Sequence, residues 1–322
     1  MGRAFRWCNT RMQQTLKSSV QCVGVGLHSG ADVTMVINPA GADHGIVFVR
    51  TDVTNGDNRI PARWDHVVDT RMCTVVANKN GASVGTIEHL MAALRGCGVD
   101  NALIELNGPE IPVMDGSSAP FVALIDSVGT KAQEAPRRAI RVLKEVEVRD
   151  GDKVVRLRPS NGAVFGGAID FNHPSIGHQT YQTRLVNGNF RHDIADARTF
   201  GFVQEVEALR AAGLARGGSL DNAIVLNDAG VMNDGGLRFA DEFIRHKLLD
   251  AIGDLYLAGG PIIGEYDGFK AGHALNNQIL HVLFSTPGAW VPVDLFVEYD
   301  AMNDGVLSAV PDDARVGSVA IA

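Results

Sequence analysis

Polar and apolar positions along the chain fall into two periods. The runs SVQCVGVG and ADVTMVINPA are strand-like, and LHSG between them predicts a hairpin. GIVFVR at 45–50, DTRMCTVVA at 69–77 and VDNALIELNG predict three further strands. In TIEHLMAALRGCG (86–98) the period changes: Ile87, Leu90, Met91 and Leu94 recur at helical spacing, and Thr86 marks the predicted helix start. SSAPFVALIDSVG (117–129) predicts a second helix. The segment GTKAQEAPRRA (129–139) is poor in apolar residues, charged and proline-bearing, so a linker is expected there. The pattern then resumes with strands in AIRVLKEVEVRDG, KVVRLRPS and VFGGAIDF, and a polar stretch runs on to ARTFGF (197–202). QEVEALRAAG predicts a short helix, AIVLN a strand, and DEFIRHKLLDAIGDLYL and GHALNNQILHVLFS two more helices. Apart from that short helix, each half thus reads as a few strands plus two helices, an α+β pattern with domains at 1–130 and 131–322. EHLMAALRGCG and RHKLLDAIGDL share a polar–His start and a helical apolar pattern, a faint sign of duplication.

Composition narrows the class. A chain of 322 residues, 45 % hydrophobic and 20 % charged, can bury a real core as one large or two medium domains. The net charge of −8, from 29 basic and 37 acidic residues, argues against a nucleic-acid partner and leaves room for an anionic small molecule. The four cysteines, Cys8, Cys22, Cys73 and Cys97, form no CxxC pair, which excludes a cysteine zinc knuckle and fits a reducing cytosol. No run resembles a signal peptide or approaches the roughly 18 to 20 apolar residues of a membrane span. The expectation is a cytoplasmic protein without stable membrane insertion.

Chemistry is suggested first by RHKLLDAIGD (245–254). Leu248, Leu249, Ile252, Leu255 and Tyr256 make an apolar face, while His246, Asp250 and Asp254 recur every four residues. Steps of four rotate only about 40° on a helix, so these three share a stripe. The stripe is either a solvated face or a metal site, because an imidazole and a carboxylate one turn apart can reach one ion. Glu88 and His89 offer a base and a further ligand; the alternative is a helix-start acid favoured by the helix dipole beside a half-buried histidine. His273 is either a loop histidine or a general acid whose charged form a bond to Asp254 would favour. GVGLHSG (24–30) departs from GxGxxG and precedes a strand, which excludes a dinucleotide fold. GASVG (81–85) matches GxSxG but follows the turn-like NKNG rather than a strand, leaving Ser83 as the alternative nucleophile.

GVGLHSG, TIEHLMAAL, VDNALIELNGPEIPVMDGSSAPFV, ARTFGF, DEFIRHKLLDAIGDLYL and GHALNNQ, in this order, resemble the zinc-dependent UDP-3-O-acyl-N-acetylglucosamine deacetylases of lipid A biosynthesis. The resemblance covers about residues 14 to 285. It implies two α+β domains of similar topology packed as a β-α-α-β sandwich, each with a small insert. The second insert, at about 201–228, would form a passage for the acyl chain. It further implies Zn2+ on His89, His246 and Asp250, Glu88 as general base, and His273 as acid with Asp254 as its partner. Thr199 would polarise the substrate carbonyl. Lys247, Phe200 and Phe171 would contact substrate, with Met72 and Cys73 near the site by analogy. The implied reaction removes the N-acetyl group from UDP-3-O-(3-hydroxyacyl)-N-acetylglucosamine, giving the free amine and acetate. The implied protein is a monomer whose partner is that UDP-linked acylated glucosamine. Two reagents separate the alternatives: a serine enzyme loses activity on Ser83→Ala and survives chelation, and the metal reading predicts the reverse in a deacetylation assay.

Overall fold

A computed structural model of the chain describes residues 12–186 and 188–295. Cys8 with the rest of the N-terminal extension, and the tail from 296, lie outside the described residues. In the first half a five-stranded sheet runs in the order Val20–Val25, Asp32–Pro39, Ala102–Leu106, Ile46–Arg50, Arg59–Pro61. Only the Ile46–Arg50/Ala102–Leu106 pair is parallel; the expected hairpin of the first two strands is antiparallel, Val20 opposite Ile37. Alternate residues of the second strand, Val33, Met35 and Ile37, are buried with Leu90, Met91 and Leu94 of helix α1 (Glu88–Cys97) and Phe121 and Ile125 of helix α2 (Ala119–Val128). Period-2 and period-3.6 patterns thus meet in one core.

The second half repeats the plan at larger scale. Ile262–Phe269 lies at the centre of a seven-stranded sheet, parallel to Arg138–Val142 and Ala163–Phe171 and antiparallel to Lys153–Arg158. Its helices are α3 (Phe190–Asp193), α4 (Val203–Ala211), α5 (Glu242–Tyr256) and α6 (His273–Ser285). Helix α5 packs on Ala163–Phe171 and Gly177–Arg184, and α6 on Val146–Asp150 and Lys153–Arg158. Helices α1 and α5 pack on each other, so the layers run sheet, helices, helices, sheet. The fold is α+β, as expected. Each half also carries a three-stranded sheet of its own: Val67–Asp69, Val75–Ala77, Ser83–Val84 in the first, and Phe200–Phe202, Ile224–Asn227, Gly230–Val231 in the second. The second, with α4 beside it, contains the segment expected to form the acyl passage.

Several local expectations change. The expected linker contains a strand, Thr130–Pro136, antiparallel to Met12–Leu16. Its partner supplies Gln13, Gln14, Thr15 and Leu16 to the interior, so the strand itself buries only Ala135 and needs no apolar run. AIRVLKEVEVRDG is two strands, Arg138–Val142 and Val146–Asp150, broken where the Leu143 and Lys144 N–H groups turn to the Ala289 carbonyl. DTRMCTVVA bends at 70–74 between two short strands. The polar stretch after 171 hides Gly177–Arg184, an edge strand that among the described residues pairs only with Ala163–Phe171 and exposes every second residue. Thr86 does not cap α1: it sits at φ +54° one residue before Ile87, the cap position, and its hydroxyl donates to Glu110 Oε1 at 2.7 Å.

The backbones of α1 and α5 approach closely at Gly253. A Cβ built there would overlap the Glu88 carbonyl and crowd the Ala92 nitrogen. A mid-helix glycine costs about 1 kcal/mol relative to alanine on an exposed helix; here its missing side chain lets α5 lie against the backbone of α1. Gly253→Ala should therefore destabilise by about 1–3 kcal/mol in chemical denaturation, opposite in sign to the helix-propensity expectation.

Candidate functional site

The α1–α5 seam is polar where an ordinary helix seam is apolar. Glu88, His89, His246, Asp250 and Asp254 are all buried in it, together with Thr74 and Asn276. The stripe on α5 is thus not a solvated face. Its first two members meet His89: His246 Nε2 lies 3.3 Å and His89 Nε2 3.6 Å from Asp250 Oδ1. The two imidazole rings stand edge to face, 5.0 Å apart. Asp250 Oδ1 is buried with no hydrogen-bond partner among the described residues, although its sister Oδ2 accepts from Lys247 Nζ at 3.1 Å. An unpaired buried carboxylate oxygen is costly unless something else satisfies it.

Protonation states fit a cation. His246 Nδ1 lies 3.0 Å from the Ala197 carbonyl, which can only accept, so the proton is on Nδ1 and the Nε2 lone pair faces Asp250. Burial lowers the His246 pKa to about 3, which keeps the ring neutral. Burial works to raise the Asp250 carboxyl, but the cations near it, Lys247 and His273 among them, outweigh this and hold it well below the usual carboxylate range. A nitrogen–nitrogen–carboxylate set whose candidate donor atoms lie within 4.8 Å of one another fits a divalent metal ion.

A second cluster adjoins the first. Burial raises the Glu88 pKa. Thr74 N–H donates to Glu88 Oε2 at 3.0 Å, and Oε1 faces His273 Nε2 at 3.9 Å. His273, the first residue of α6, donates from Nδ1 to Asp254 Oδ2 at 2.8 Å. Burial opposes its charge, but Asp254 and Glu88 outweigh that and push its pKa up to about 10. Asp254 Oδ2 also accepts from Asn276 Nδ2 at 2.9 Å, and Asn276 Oδ1 accepts from the Tyr266 hydroxyl at 2.7 Å. The arrangement places a buried carboxylate opposite an imidazolium, next to three groups able to bind a metal.

Both clusters open on a cavity of about 760 Å³. Thr199 lines it, held by its N–H to the Gly116 carbonyl and by the Ile224 N–H on its own carbonyl; its hydroxyl has no partner among the described residues. Lys247 and Phe200 line it as well, with Nζ 5.5 Å from the Phe200 ring centre. Met72 is part of the wall. Phe171 and Cys73 are not: Phe171 stands behind Phe200 with ring centres 5.8 Å apart, and Cys73 is buried, its thiol pushed up to about 12 by that burial. Ser83 lies on a strand, its carbonyl bonded by Arg50, and does not line the cavity; no elbow of the hydrolase kind forms there.

Sequence spacing overlooked His28, Thr74 and Asn276. His28 lines the cavity with both ring nitrogens buried and without hydrogen-bond partners among the described residues. Its backbone is fixed by Glu110, which accepts from the His28 and Ser29 N–H groups. Its place in GVGLHSG, like that of Asn276 in GHALNNQ, is the available signal; Thr74 acts across 180 positions and offers none.

The sequence profile of the UDP-3-O-acyl N-acetylglycosamine deacetylase family matches residues 13–285. Among similar proteins, the UDP-3-O-acyl-N-acetylglucosamine deacetylase of Phenylobacterium zucineum is 51% identical over 278 residues, 86% of this chain and 95% of that protein. That of Shewanella woodyi is 50% identical over 282 residues (86% and 92%). That of Xanthomonas axonopodis pv. citri is 49% identical over 280 residues (86% and 92%).

If the orphaned oxygen serves a metal, Asp250→Asn should retain metal at least ~10-fold more weakly than the parent protein, measured by elemental analysis after dialysis.

Proposed function

The chain belongs to the family of UDP-3-O-acyl-N-acetylglucosamine deacetylases, and from that premise we propose that His89, His246 and Asp250 hold a zinc ion beside which Glu88 and His273 carry out the proton transfers of amide hydrolysis. The enzyme removes the acetyl group from the glucosamine nitrogen of UDP-3-O-acyl-N-acetylglucosamine, a step of lipid A biosynthesis. The observation that carries the metal assignment is Asp250 Oδ1, buried without a donor among the described residues and facing two imidazole nitrogens. Three protein ligands of this kind suit catalytic zinc, which keeps a position open. When bound, zinc lowers the pKa of a water toward neutrality and polarises the acetamide carbonyl.

The remaining chemistry falls to the side chains. Glu88 takes the proton from the attacking water; its buried carboxyl, raised in pKa, is a stronger base than an exposed glutamate. The Thr199 hydroxyl donates to the carbonyl oxygen as negative charge builds there. His273, charged and 3.9 Å from Glu88, delivers a proton to the departing nitrogen. Asp254 keeps that imidazole charged and oriented. Lys247, at the cavity wall, offers charge to the diphosphate, and Phe200, with Phe171 behind it, shapes the wall near the sugar. Val203, Val206 and Leu209 of α4, with Ala223 and Val225, give the cavity an apolar flank suited to the acyl chain. Burial there stabilises by about 0.8 kcal/mol per CH₂. In the same reading the enzyme works as a cytoplasmic monomer. Among the described residues, no helix is long and apolar enough to cross a membrane.

Chelation should abolish deacetylation and added zinc restore it; activity untouched by thorough metal removal would overturn the assignment. Glu88→Gln should lower kcat by about 10²–10⁴. The pH profile should be bell-shaped. Activity needs Glu88 ionised, so the acid limb lies above the ordinary glutamate range. It also needs His273 protonated, so activity persists until the pH rises through about 10. Asp254→Asn removes the charge that raises His273 and should move the alkaline limb down toward ~6.5.

A further inference from the structure

Thr74 lies at the end of the bend that joins Val67–Asp69 to Val75–Ala77, and it is 1 % exposed. Its backbone N–H donates to Glu88 Oε2 at 3.0 Å. Its hydroxyl donates to Asp254 Oδ1 at 2.5 Å. Its carbonyl accepts from Ile87 N–H at 3.4 Å, just ahead of α1. One residue in the bend between two strands of the small first-half sheet therefore touches two buried carboxylates, one on α1 and one on α5.

The distribution of bonds on those carboxylates gives the contacts meaning. Asp254 Oδ2 is taken by His273 and Asn276, and the bond recorded on Oδ1 comes from Thr74. Without the hydroxyl, the carboxylate could rotate and carry the His273 ring with it. On Glu88, the Thr74 N–H claims Oε2 and leaves Oε1 toward His273. Thr74 is β-branched and buried, so few side-chain rotamers are open to it and its hydroxyl is held in place. Thr70, Arg71 and Met72 of the same bend line the cavity.

We infer that Thr74 is a positioning residue that sets Glu88 and the Asp254–His273 pair relative to each other, making the small first-half sheet part of the alignment of base and acid. The inference rests on the roles given above to Glu88 and His273. It is tested in the full-length, zinc-loaded enzyme with Thr74→Val, which keeps the N–H and the shape but loses the hydroxyl, and with Thr74→Ser, which restores it. The valine variant should lose on the order of 10–100-fold in kcat, with KM and bound metal per chain unchanged. Serine should recover kcat to within about threefold of the parent. In an Asp254→Ala background, Thr74→Val should cost nothing further, since its partner is gone. Circular dichroism checks folding; if valine does not fold, Thr74→Ala replaces it under the same criteria. The inference is overturned if the hydroxyl-free variant keeps the parent kcat, if serine is as impaired as valine, or if the loss persists in the Asp254→Ala background. Asp254→Ala at parental activity would instead overturn the underlying assignment of the acid.

Discussion

Close approach of two helix backbones governs this molecule. Gly253 lets α5 lie against the first turn of α1, and that turn carries Glu88 and His89. Separate the helices by the width of a methyl group and His89 no longer faces Asp250. The sheets on either side, joined through one apolar core that spans both halves, hold the seam shut. Buried charge can collect there because neither helix needs that face for its own apolar packing. Such charges are expensive in a low-dielectric interior unless they satisfy one another or a cation.

Burial acts against charge on His246 and His273 alike, and what offsets it differs between them. Both are enclosed, yet one is driven neutral and the other is held charged. The first donates to a main-chain carbonyl, which fixes its tautomer and favours charge too little to offset burial. The second donates to a carboxylate, which rewards the proton. Ligand and acid are therefore two outcomes of one residue type, decided by what surrounds the ring.

The sequence exposed whatever is local and periodic. The four-residue recurrence of His246, Asp250 and Asp254, the apolar face of TIEHLMAAL and the hairpin around LHSG all follow from helix and strand repeats. Family resemblance then joined Glu88 and His89 to the stripe. Elements that owe their form to neighbours were harder to see. Ile262–Phe269, with glycines and acids among its apolar residues, has no clean period because it is flanked by strands along its length. Thr130–Pro136 borrows its interior from Met12–Leu16. Thr74 and Asp254 are 180 positions apart, and nothing in a threonine's local setting announces such a partner.

One asymmetry between the two helices has a wider meaning. Counted from each helix's histidine, α5 carries Asp250 and Asp254 at the fourth and eighth places, where α1 carries Ala93 and Cys97. An acid at position 93 as well would have added a carboxylate one turn from His89, while position 97 lies beside Arg191, whose guanidinium donates to the Cys97 sulfur at 3.4 Å. Like charge added to Glu88, Asp250 and Asp254 would push the helices apart. The difference between the two helices along this stripe leaves one shared centre: one helix falls silent there and the other speaks.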